Sequence, residues 1–263
     1  MSQVITTIAN TEAATEPFDV TDYPSCLAMW DIHEEDQAGI DTDTSLLTDI
    51  AGGVIGSWTT AGEGYLTIAN GTAVRAGGTG TQGSLFPGSP TLPSIPITKD
   101  FVALAVADWG AAQILTFGDA AQSRITMNNI AAAANVVEDV DNNTDIFTTG
   151  VFTTSTQTAV IYSDRNDVLG GGADFIATHV TATALTELEG LPIANADNAI
   201  DLSQGVGSFL MGNNITVYLV CLFAFDTIPS DIDSAIAWMN ADARDAAAAG
   251  RQKRIWPNWK GLT

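Results

Sequence analysis

Across residues 214–225 the chain carries apolar side chains at positions of both parities. In an extended strand Val217, Leu219, Cys221, Phe223 and Phe225 project to one side. Tyr218, Val220, Leu222 and Ala224 project to the other. A strand apolar on both faces is expected to be covered on both. Asp226-Thr227-Ile228-Pro229 ends the run. Ser230-Asp231-Ile232-Asp233 then has the form of a capping box, with Ser230 as N-cap and Asp233 at the third helical position. Ile232, Ala235, Ile236 and Met239 recur at helical spacing, and the pattern predicts a helix up to Ala249 with Gly250 as terminator. Arg251, Lys253 and Arg254 follow, where the helix dipole favours cations.

Upstream the apolar runs are short. Residues 26–33, 101–107, 158–162, 174–180 and 209–211 read as strands, and 101–107 is apolar on both faces. Residues 54–58 and 64–68 read as two short strands around Ala61-Gly62-Glu63-Gly64. Residues 113–117 and 124–127 pair through a turn at Gly118-Asp119. Residues 135–140 and 146–152 flank a polar hairpin tip at 141–145. Residues 71–96, rich in Gly, Pro, Ser and Thr, read as a long irregular crossing. Short strands with turn signals every ~8–12 residues predict a sandwich or barrel. The chain has no βαβ alternation, no nucleotide-binding glycine motif and no internal repeat.

The long apolar strand, the Pro229-Ser230-Asp231-Ile232 helix start, Ala237-Trp238-Met239 in the helix and the closing Trp256-Pro257-Asn258-Trp259 together resemble concanavalin A-like lectin/glucanase domains. The likeness is to the laminin-G/pentraxin-type versions found in surface proteins of tailed bacteriophages and related particles. Cys26-Leu27-Ala28-Met29-Trp30-Asp31-Ile32 is similar to that family's first strand. The resemblance spans residues 24–260 as an order of elements and carries no invariant catalytic signature. It implies an all-β fold over residues 24–263: an antiparallel jelly-roll β-sandwich with one C-terminal helix on its edge. In that fold the first and last long strands can be neighbours, so a Cys26–Cys221 disulfide is conceivable, although buried thiols are the ordinary state of such cysteines.

The resemblance further implies a non-enzymatic virion surface protein, such as a head spike, fibre or tail adhesin, that binds host cell-surface polysaccharide. Two rivals are a purely structural decoration protein and a glycan-degrading enzyme. Residues 1–23 are poor in large apolar side chains and rich in Thr, Ala and acids. They are expected to form an extended arm that orders against other virion proteins. Further copies of the chain are the other expected partner.

Charge narrows the partners. Lys and Arg total 9 against 31 Asp and Glu, a net charge of −22 in 263 residues. Five of the nine cations (Arg244, Arg251, Lys253, Arg254, Lys260) fall in the last twenty positions, so the body is more acidic still. Such a surface repels nucleic acid and anionic membranes. No apolar run approaches the ~20 residues of a membrane span. The first residues lack the basic segment and apolar core of a signal peptide. Solubility in a salty medium and divalent-cation binding both account for the acidity.

Candidate chemistry is thin for catalysis. His33 and His179 lie in strand-like runs, and no nucleophile elbow accompanies them. Glucanases of the resembled fold alternate acids as Glu-x-Asp-x-x-Glu. Here Glu34 and Asp36 fill the first two places and Gly39 stands at the third. Glu187 and Glu189 also alternate, in a segment of weak strand character. Asp139, Asp141, Asn143 and Asp145 have the alternating oxygen spacing of a calcium loop, without its glycine or distal acid. Asp36, Asp41 and Asp43, and Asp164 with Asp167, form further acidic turns. The resemblance implies calcium beside a sugar site. Sugars need aromatic platforms and planar polar groups. The candidates are Trp58, Tyr65, Asp108, Trp109, Arg124, Asn128, Asn129, Asp164, Arg165 and Asn166. Trp30, Trp238, Trp256 and Trp259 are assigned to packing.

Overall fold

The computed structural model describes residues 22–31, 46–49, 54–57, 65–69, 72–76, 82–85, 92, 94–96, 98–109, 114–118, 123–129, 135–139, 144–149, 152–153, 155–170, 175–182, 184–191, 200–202, 209–212, 215–249, 257 and 259–263. The expected arm up to residue 21, the acidic loop at 34–43, His33 and Trp58 lie outside the described residues.

Strands dominate and pair antiparallel. One sheet has eight: β1 (Cys26–Asp31), β4 (Tyr65–Ala69), β5 (Thr72–Ala76), β8 (Asp100–Asp108), β13 (Thr158–Ser163), β14 (Phe175–Val180), β15 (Leu185–Leu191) and β18 (Thr216–Phe225). Their order is β15-β14-β13-β8-β18-β5-β4, and β1 shares with β5 the same edge of β18. The second sheet has six: β6 (Gln82–Leu85), β9 (Ile114–Gly118), β10 (Arg124–Asn128), β11 (Asn135–Asp139), β12 (Thr144–Thr149) and β17 (Phe209–Gly212), in the order β12-β11-β10-β9-β17-β6. Two ribbons complete the strands, β2 (Leu46–Asp49) with β3 (Val54–Ser57) and β7 (Ser94–Ile95) with β16 (Ile200–Asp201). Among the described residues there is one α-helix, α1 (Ile232–Ala249), ending where its alanines meet Gly250.

The eight-stranded sheet is buried on both faces. On one, Phe101, Ala103, Ala105, Ala107, Ala159, Ile161, Val220, Leu222 and Ala224 share a core with Leu115, Phe117, Ile125, Met127 and Val137 of the six-stranded sheet. The alanines leave room for the rings of Trp30, Phe117 and Phe175 in that core. On the other face, Val102, Leu104, Val106, Leu219, Cys221, Phe223 and Phe225 pack under Ile232, Ala235, Ile236, Met239 and Ala243 of α1. The doubly apolar sequences of β8 and β18 follow from this, because each strand has an oily layer above and below. Each large side chain so covered contributes about 1.5–3 kcal/mol. The Trp259 ring stands edge-on to Phe223 and Phe225, at 5.2 and 5.3 Å between centroids, and seals that layer near the chain's end.

Four expectations are corrected. The helix lies across the outer face of the large sheet, against β8, β13, β14 and β18, because its apolar stripe needs a wide apolar surface and the face offers one. The 71–96 stretch contains β5, β6 and β7; β6 and β7 pair with strands distant in sequence, which outweighs their weak local propensity, and β5 pairs with its neighbour β4 as well as with β18. The strands at 54–57 and 65–69 do not pair with each other; β3 pairs with β2 and β4 with β5. Finally, β18 is not of one parity. The register slips between Val217, opposite Ala107, and Leu219, opposite Val106. This bulge sends Val217 into the inter-sheet core and leaves Tyr218 on the helix side with Leu219.

The expected hairpins 114–118/124–128 and 135–139/144–149 are present. Cys26 stands opposite Phe223 and Cys221 opposite Met29; both are buried thiols. No helix among the described residues is long and apolar enough to cross a membrane.

Candidate functional site

Strand β8 runs the length of the large sheet, and its two ends organise the polar chemistry. Eight steps of ~3.3 Å separate Asp100 from Asp108 by roughly 26 Å.

At the Asp108 end the β18 bulge brings Tyr218 beside the tip of β8. Tyr218 Oη donates to Asp108 Oδ2 at 2.9 Å. Arg244, on the helix, donates from Nη1 to Asp108 Oδ1 at 2.8 Å. Its Nη2 reaches the Ala107 and Gln157 carbonyls at 3.0 and 3.2 Å, and its guanidinium lies 4.8 Å from the Tyr218 ring centre. Asn240 Oδ1 accepts from Thr158 Oγ1 at 2.6 Å and ties the helix to β13. The Asp108 side chain is 53% exposed and that of Arg244 20%, so the trio faces solvent. Burial pushes the Tyr218 hydroxyl above its ordinary pKa, and the bond to Asp108 pushes the same way. The phenol therefore stays a donor, and the rim offers a fixed carboxylate, a guanidinium edge and an aromatic ring. Those are the groups that hydroxyl-rich ligands use.

Trp109 follows immediately but turns inward. Its ring is 1% exposed and packs 6.2 Å from that of Phe152. This corrects the expectation of a stacking platform: the residue after an apolar strand end falls on the core side, and the ring is covered. Asn129 is likewise buried and donates from Nδ2 to the Trp109 carbonyl at 2.9 Å. Asn128 is buried too, its N–H held by Asn135 Oδ1 at 2.7 Å and its carbonyl by the Phe152 N–H at 2.8 Å. These three act in closing the end of the core, and none presents itself to a glycan.

Asp164, Arg165 and Asn166 lie at the Asp100 end, where the Arg165 N–H reaches Asp100. Asp164 is 2% exposed, and its two oxygens accept from the N–H groups of Val168 and Leu169 at 2.8 and 2.9 Å. It therefore shapes the β13–β14 loop, where Asp167 adopts a positive φ of 50°. Arg165 points back over the Phe175 ring, 5.5 Å away, and donates to the Lys99 carbonyl at 3.2 Å. Asn166 is exposed. Arg124 is half-buried opposite Gly118 and Glu138. Asp164, Arg165 and Asn166 thus lie at the far end of β8 from Asp108. Tyr65 stands in β4 opposite Ala76, and its side chain is outside the description.

In the expected calcium loop, Asp139 stands opposite Thr144 and Asp145 opposite Glu138. The side chains of both acids are outside the description. Asp141 and Asn143 lie outside the described residues. Among the described residues no three His, Cys, Asp or Glu side chains form a metal-sized group. Glu187 and Glu189 are in β15, a strand despite its weak sequence signal, with a register shift between them.

Sequence reasoning missed Tyr218 and Arg244. One was hidden in an apolar strand and the other in an alanine-rich helix. Their only early signal was polarity inside otherwise apolar runs. Comparison with known protein families and with curated proteins gives no match.

Proposed function

We propose that this chain is a non-enzymatic carbohydrate-binding jelly roll of the concanavalin A-like type, carried on the surface of a phage or phage-like particle. The observation that supports it is the solvent-facing rim of Asp108, Tyr218 and Arg244, prearranged at one end of two antiparallel sheets with a common core. Both Asp108 oxygens are held in place, so the carboxylate acts as a fixed acceptor for sugar hydroxyls. The ligand is host cell-surface polysaccharide. Calcium, a hard cation suited to sugar oxygens, is the cofactor this reading includes.

A glycan array and a capsule pull-down, with and without chelator, test this. Binding that drops at least tenfold in Asp108→Ala, with no release of reducing ends, is the expected result. Loss of binding in chelator adds calcium to the site. Cleavage of the glycan would make the chain an enzyme.

A second reading has its own support. Trp109, Asn128, Asn129 and Asp164 are all engaged in the chain's own packing, as a purely structural decoration protein would have them. Absence of binding to any host polysaccharide would favour that role.

A further inference from the structure

His179 continues the core-facing side of β14, after Phe175 and Ala177. It is 8% exposed. Its ring meets Phe152 edge to face, 6.0 Å between centroids and 76° between planes. The same Phe152 ring is backed by Trp109. His179 Nδ1 is buried without a hydrogen-bond partner. A buried imidazole in such a place is favoured when neutral, since protonation would put an N–H at Nδ1, where it meets neither water nor an acceptor.

Among the described side chains the neighbouring elements present no counter-charge on this face. On β13 the residue opposite is Ala159, while Tyr162 belongs to the helix side. On β15 the residue opposite is Thr186, while Glu187 stands opposite Thr178, whose strand neighbours Ile176 and Val180 face the helix side. Glu189 stands opposite Ala177, and its side chain is outside the description. Asp108 and Arg244 are engaged with Tyr218 on the helix side. Across the core lie Phe152, Trp109 and the Asn129 amide, none of which ionises.

We propose that His179 is an acid-sensitive latch: in mildly acidic medium the Trp109–Phe152 end of the inter-sheet core opens so that the imidazole can be protonated in water. The proposal is independent of the glycan reading. Burial also holds the His179 pKa below its ordinary value of 6.5. The closed form is therefore at full strength above pH ~6.5, where both forms are neutral. As pH falls below that value, only the open form takes the proton. The open-to-closed ratio then rises by up to about tenfold per pH unit, until the pH reaches the closed form's own pKa.

The test uses the full chain. With two histidines, His33→Asn assigns the imidazole NMR signals, and the His179 midpoint is read directly. Amide hydrogen exchange is compared at pH 7.5 and 5.5, corrected for intrinsic rates. The expected result is a midpoint below 6.5 and acid loss of protection around residues 152 and 175–180. Peptides at 100–102 and 225–228 should keep theirs. His179→Phe, which cannot be charged, should stay protected at pH 5.5. A midpoint at or above 6.5, or equal acid loss in His179→Phe, overturns the latch. If that variant fails to fold, the wild-type midpoint and the location of the exchange decide.

Discussion

Asp100 is the best place to break this fold with one atom-scale change. The residue is 1% exposed, yet its carboxylate is used on both sides. Oδ1 accepts the Arg165 N–H at 2.9 Å and the Ser163 hydroxyl at 3.3 Å, and Oδ2 accepts the Ile228 N–H at 3.0 Å. Ser163 Oγ in turn accepts the Phe101 N–H at 2.8 Å. One side chain thus joins the start of β8, the loop after β13 and the approach to the helix. Asp100→Ala orphans two backbone donors and a hydroxyl. A hydrogen bond to a charged group is worth about 1.5–3 kcal/mol, and stranding buried donors costs about as much again per group. Partial entry of water offsets some of this, so about 3–5 kcal/mol is expected, the range for breaking a buried charged network. With 263 residues and an unfolding entropy of ~2.1 cal/mol/K per residue, the transition entropy is ~0.55 kcal/mol/K. A loss of ~4 kcal/mol therefore lowers Tm by roughly 7 °C. Asp100→Asn should lose about half as much, because its amide NH2 must face one of the donors. Calorimetry of the three proteins at neutral pH reads the order wild type, Asn, Ala. A fall of less than ~2 °C for Ala would refute the account of Asp100 as the joint of three elements.

Arg244→Lys should cost about 1–2 kcal/mol in urea unfolding, since an ammonium cannot span the Asp108 carboxylate and the Ala107 and Gln157 carbonyls; most of that loss lies in the carbonyl bonds, because the Asp108 pair is partly exposed. Ala105→Leu should destabilise by about 1–3 kcal/mol in the same assay, because Ala105 is fully buried between Val220 and Ala159 in the inter-sheet core. Burial, with Asp22 and Cys26 beside it, pushes Tyr23 up to about 12 from an ordinary 10, so stability is whole below pH 10 and falls as pH rises through about 12. Phenolate absorbance followed with circular dichroism should show Tyr23→Phe unfolding less steeply over that range, despite losing the bond to the Pro257 carbonyl.

The chain's own letters settled the strands and the helix wherever burial on two sides left no polar choice. The doubly apolar runs at 101–107 and 217–225 could only be interior strands, and the spacing of Ile232, Ala235, Ile236 and Met239 could only be one face of a helix. Local pattern also found the hairpins at 114–128 and 135–149, whose partners are close in sequence. What lay beyond it was set by distant partners. Strand β6 exists because the distant β17 pairs with it, and its Gln-Gly-Ser-Leu carries little signal of its own. A single slipped register at Tyr218 moved that ring from the expected side to the one where Asp108 and Arg244 meet it. Trp109 and Asp164 have side chains suited to a binding site, and only packing decided that one fills the core and the other folds a loop. Side-chain identity sets which chemistry is possible, whereas exposure and approach depend on contacts between segments far apart in the chain, which no local pattern encodes.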